Sequence, residues 1–84
     1  LPHQVLAEPS DTAEVAGAEL RAAVRRVLSD HGAPLRTDEI RRGLLARGLR
    51  PPAPAGKRIS DALRAELARG RVERTGRGEF CWVA

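Results

Sequence analysis

Three stretches of this chain place large apolar residues at the spacing of an α-helix, and Gly and Pro punctuate the segments between them. Leu20, Val24, Val27 and Leu28 stand at i, i+4, i+7 and i+8, forming one stripe of a first helix near residues 18 to 30. Asp11-Thr12-Ala13-Glu14 fits a capping box, so this helix is expected to open there or, because of Gly17, only near Ala18. Its predicted end is Asp30-His31-Gly32, with Gly32 in the left-handed position and His31 beside the negative end of the dipole. Residues 33 to 36 leave room for a turn and one or two extended residues. Thr37 then reads as an N-cap with Asp38 and Glu39 in the first turn, and Ile40, Leu44, Leu45 and Leu49 continue a stripe. This second helix is predicted over 37 to 47, with Gly48 closing it.

Arg50 to Gly56 contains Pro51, Pro52 and Pro54, which remove donors and force extended geometry on their predecessors, so a connecting loop is expected there and neither helix nor inner strand. Ile59, Leu63 and Leu67 define a third helix over 57 to 69, stopped at Gly70. Two antiparallel strands near 71 to 74 and 79 to 83 then flank Thr75-Gly76-Arg77-Gly78, with Phe80 and Trp82 on one face. The expected core comprises Leu20, Val24, Leu28, Ile40, Leu44, Leu63, Leu67, Phe80 and Trp82. Residues 1 to 10, with Pro2 and Pro9 and no period, read as a flexible tail or linker before a single domain over 11 to 84.

Composition narrows the function. The chain has 84 residues, 42% of them hydrophobic, but 14 of that class are Ala, which leaves 20 Val, Ile, Leu, Phe and Trp for one small core. A single cysteine, Cys81, excludes a disulfide scaffold and is expected to be a buried strand residue. His3, His31 and Cys81 lie too far apart in sequence for a recognisable metal motif, and no cofactor is expected. No apolar run reaches the roughly 18 residues of a membrane helix, and no signal peptide is visible, so an intracellular, cytoplasmic protein is expected, nucleoid-associated if bacterial. The start at Leu1-Pro2-His3, without Met, suggests a domain excised from a longer protein.

Catalytic patterns fail on inspection. Ser29-Asp30-His31 contains triad residue types, but three consecutive residues at a helix end cannot converge as nucleophile, base and orienter. Gly48 to Gly56-Lys57 is too long and too rich in proline for a phosphate loop, and Arg58 stands where Ser or Thr is needed. No enzyme and no small-molecule substrate are expected.

Charge is more informative. Residues 1 to 20 carry four acids and no Lys or Arg, whereas residues 21 to 84 carry 15 Lys and Arg against seven acids, 15 − 7 = +8. A GC-rich genome favours Arg and Ala codons but does not create this asymmetry. Fourteen of the cations are Arg, whose planar fork suits phosphate and base edges. With Ile59, Leu63 and Leu67 buried, an advance of about 100° per residue puts Lys57, Arg58, Asp61, Ala65 and Ala68 on the opposite side of the third helix, with Arg64 at its flank.

Three helices and a terminal hairpin, mainly α with a small β-hairpin, describe a winged helix-turn-helix: three helices plus a two-stranded wing. From Leu20 to Trp82 the chain resembles that superfamily, and more narrowly the HARE type, through APLRTDEIRRGLLARGL, a Pro-rich loop ending in GK, LRAEL and GRVERTGRGEFCW. The resemblance covers about three quarters of the chain. HARE-type domains usually carry Thr or Pro after GK, where this chain has Arg58-Ile59. The resemblance implies a DNA-associated role as an accessory module of restriction, chromatin or transcription proteins. In the usual docking, a recognition helix enters the major groove and a wing grips the backbone. The expected DNA-binding residues are Lys57, Arg58, Asp61, Arg64, Arg74 and Arg77, with Arg58 on a base and Arg77 on a phosphate. Arg21, Arg25, Arg26, Arg41, Arg42 and Arg47 read as solvated faces, and Glu66 and Arg69 as local pairs. The alternative is a winged helix that binds a protein, favoured by the acidic N-terminal segment and by Asp61 on the reading face; double-stranded RNA is a weaker option. Phe80 and Trp82 could instead stack on bases, although so small a core needs them.

Overall fold

A computed structural model describes residues 12–83. The described residues run through β1 (Ala13–Glu14), α1 (Gly17–His31), β2 (Leu35–Arg36), α2 (Thr37–Ala46), β3 (Leu49–Arg50), α3 (Ala55–Ala68), β4 (Val72–Gly76) and β5 (Glu79–Trp82). The fold is thus small and mainly helical, with three helices and a three-stranded antiparallel sheet among the described residues. The expected tail, residues 1 to 10, lies outside them.

α1 buries the stripe its spacing announces, Leu20, Val24, Val27 and Leu28, and ends at Gly32, whose φ of 79° lets its N–H reach the Leu28 carbonyl. The capping-box start at Asp11 is not adopted, because Ala13 and Glu14 are extended. They pair in parallel with Leu49 and Arg50 through Ala13 N–H to Gly48 O at 2.8 Å and Val15 N–H to Arg50 O at 2.9 Å. The segment between α2 and α3 is therefore not wholly loop. Its first residues satisfy backbone groups before the prolines begin.

α2 starts one residue earlier than a Thr37 cap would give. Arg36 occupies the cap position, with its N–H donating to the Glu39 carboxylate at 2.8 Å, and Thr37 is the first helical residue. α2 buries Ile40 and Leu44, but Leu45, expected on the same stripe, is 44% exposed. α3 starts two residues early, at Ala55, because the extended Pro54 supplies its carbonyl to the Arg58 N–H at 3.1 Å.

The hairpin β4–β5 turns at Arg77-Gly78, and its sheet has a third strand. β2 pairs with β5, Leu35 opposite Phe80 and Arg36 opposite Glu79, giving the order β2-β5-β4. The two-stranded expectation is corrected here: the extended residues before α2 cover what would be a bare edge of β5. The core joins all three helices to this sheet through Leu35, Val72 and Phe80. Leu67 and Trp82 are only partly buried against it, and Cys81 is half-buried rather than buried.

Candidate nucleic-acid interface

α3 is rotated from the expected setting. Its buried residues are Ile59, Ala62, Leu63 and Glu66, while Leu67 is half-buried. The buried stripe is thus turned by roughly 50° toward Ala62 on a wheel of about 100° per residue. Lys57, Asp61, Arg64 and Ala68 are left on the side facing away from the core, and Arg58 moves to the flank.

Asp61 is held between two cations, with Lys57 Nζ at 3.2 Å and Arg64 Nη1 at 3.6 Å. Such exposed pairs within one helix are worth a few tenths of a kcal/mol each, so a phosphate or a base edge competes with them readily. Arg64 shares a shallow depression with Ser60, Leu67, Phe80 and Arg74. Arg74 also lies 6.0 Å from the centre of the Phe80 ring, a loose cation–π contact that directs it along the sheet. Arg77 is exposed at the hairpin tip beside Gly78, whose φ of 69° closes the turn.

The six predicted residues therefore divide. Lys57, Asp61 and Arg64 form one line on α3, and Arg64 and Arg74 meet where α3 faces the sheet. Arg58 stands apart from Arg64 and Arg74 and meets only Asp61 of that group. It lines a second depression, with Ala16, Gly17, Leu20, Arg21, Pro52, Asp61 and Ala62, on the side of α3 that packs on α1.

That α1 side holds the residues the sequence reading missed. Glu66 is 0% exposed. Arg25 Nη1 and Arg71 Nη1 stand 3.6 Å from its Oε1, and Arg21 Nε and Arg69 Nη1 stand 3.7 and 3.8 Å from its Oε2. The local pair of Glu66 with Arg69 is present, but Glu66 is buried and takes three further arginines, and reading Arg21 and Arg25 as solvated faces is corrected: both guanidinium groups lean over the buried carboxylate. A signal for this was present, since Glu66 stands at i+7 from Ile59 and i+3 from Leu63, on the apolar stripe itself. Arg42 and Arg47 are also paired, with Asp38 and Asp30 respectively, whereas Arg26 and Arg41 are exposed as expected.

Among the described residues no helix is long and apolar enough to cross a membrane, and no group of His, Cys, Asp or Glu could hold a metal ion. No protein-family model matches this chain, and comparisons with curated proteins and with solved structures return no significant match.

Proposed function

We propose that this chain is a winged-helix domain that binds duplex DNA, with α3 as the recognition helix in the major groove and the β4–β5 hairpin as a wing on the phosphate backbone. It acts as an accessory module without catalysis of its own. The observation that carries this reading is that Lys57 and Arg64 flank Asp61 on one side of α3 and Arg64 shares a depression with Arg74, while Arg77 is exposed at the tip of the same hairpin. Alanines at 65 and 68 keep the outer side of α3 slim enough for a groove, and the fork of Arg64 is set for base edges or phosphate. Arg58, turned to the flank, is assigned to the groove wall rather than to a base.

Titration of the parent, Arg64→Ala and Arg77→Ala against two unrelated duplexes across a salt series tests this. Arg77→Ala should weaken both duplexes alike and lower the salt slope by about 0.9, one phosphate contact. Arg64→Ala, if it loses a base contact, should cost about 1–3 kcal/mol and relax the preference between the duplexes. A parent without salt-dependent binding would sink the DNA reading. A protein-binding module is the second reading, favoured by the exposed Leu45 beside Pro51, Ala53 and Ala55.

A further inference from the structure

Glu66 poses a physical problem that the proposed DNA face does not use. A buried carboxylate is costly unless paired and hydrogen-bonded, yet neither of its oxygens has a hydrogen-bond donor within reach among the described residues. The guanidinium nitrogens stand at 3.6 to 3.8 Å, outside hydrogen-bond range, so Coulomb attraction alone holds the cluster. Four cations thus surround one anion. Their side chains remain open to solvent, from 25% for Arg25 to 51% for Arg69, and none spends an N–H on Glu66. The core side of the cluster carries negative charge and the solvent side carries an excess of three positive charges with free forked donors.

We infer that Arg21, Arg25, Arg69 and Arg71, gathered by the buried Glu66, form a second anion site that takes a phosphate group on the α1 side of α3. Arginine forks bind phosphate oxygens bidentately, and a phosphate over the cluster offsets the excess charge that Glu66 leaves. Glu66 is the positioning residue: it draws side chains from α1 and from the end of α3 to one point without consuming their donors. Arg58 extends the site, since it shares a depression with Arg21. The phosphate comes either from a nucleic-acid backbone or from free phosphate. In the first case the site rests on the DNA reading and places phosphate contacts on the α1 side of α3, near the base of the hairpin and apart from its tip at Arg77. In the second it stands without that reading.

The test uses the full chain, labelled so that the arginine Nε–Hε signals are resolved by NMR, and titrated separately with inorganic phosphate and with a short duplex. The signals of Arg21, Arg25, Arg69 and Arg71 should move together with one affinity. The double variant Arg25→Gln, Arg71→Gln should bind the responsive probe about tenfold more weakly or worse. Arg41→Gln, which removes the same charge from an exposed site on α2, should bind as the parent does. Movement with inorganic phosphate while the duplex binds nowhere upholds the site and removes the DNA reading. Duplex binding that moves Arg64 and Arg77 but leaves these four signals still, with phosphate silent as well, keeps the DNA reading and overturns the site. Silence of the four signals toward both probes in the parent overturns it whatever the variants do.

Discussion

At the scale of single residues, two contacts decide how α1, α2 and α3 pack. Leu63 is 1% exposed at the centre of the core, so Leu63→Ala should cost about 2–5 kcal/mol by chemical denaturation, a large share of the stability of so small a domain. Gly43 has no special backbone angle, but a Cβ there would stand 2.7 Å from Val27 Cγ1. Valine is stiff in a helix, and overpacking costs about 1–3 kcal/mol, which exceeds the roughly 1 kcal/mol that Ala gains over Gly in a helix. Gly43→Ala should therefore lower the Tm, and Val27→Ala in the same chain should return part of the loss; a Tm raised by Gly43→Ala alone would show that α1 and α2 do not pack this closely. Asp38 supplies a pH test. The hydrogen bond from Arg42, at 2.7 Å, is the main cause that holds its carboxyl below the usual value. A folded pKa below the unfolded one means the contribution is present at neutral pH and is lost as pH falls through the folded value. The Tm gap between the parent and Asp38→Asn should be small, since the pair is exposed, and should close on acidification.

At the scale of elements, the three helices were legible because a period of 3.6 needs only three or four apolar residues to show, as in Leu20, Val24, Val27 and Leu28. β1 and β3 were not, and of β2 only the extended residues were, not their pairing, since strands of two residues have no period and are fixed by partners distant in sequence, Gly48 for Ala13 and Phe80 for Leu35. The setting of α3 was missed for a different reason. A search for large apolar side chains selects Leu67 and passes over the small Ala62 and the charged Glu66, the latter buried beneath four arginines from α1 and from the residues after α3. The candidate site inherited that error: Arg64 and Arg74 do share one depression, whereas Arg58 was misplaced, Arg69 was read only as a local pair and Arg71 was passed over. α2 shows the same ambiguity between neighbours on one stripe. Leu44→Ala should cost about 2–5 kcal/mol. Leu45→Glu, on an exposed side chain, should stay within about 0.5 kcal/mol by the same measurement. Equal losses from the two changes would show that α2 is turned differently.

At the scale of the whole molecule, the placement of the aromatic residues favours, on the DNA reading proposed above, a double-stranded over a single-stranded ligand. Phe80 is buried, and Trp82, the other aromatic residue of the chain, is packed against the core from β5. Binding of single strands without sequence preference draws about 1–3 kcal/mol per base from stacking on exposed rings, and here Phe80 is buried and Trp82 is partly covered. What the surface offers is cations on either side of a slim helix, an arrangement suited to a groove with phosphates on both walls. Duplex should therefore bind more tightly than either of its separated strands at equal salt. Because counterion release gives a slope of about 0.9 per phosphate contact on a duplex and about 0.7 on a single strand, the duplex should also show the steeper loss with salt. Trp82 emission should change little where α3 and the hairpin tip carry the contacts, and should respond only modestly where a phosphate sits at Arg25, which shares a depression with it. Tighter binding of a single strand accompanied by strong quenching of Trp82 would mean that the C-terminal end of β5 opens to let bases stack, and the face built on α3 would then not be the one that reads nucleic acid.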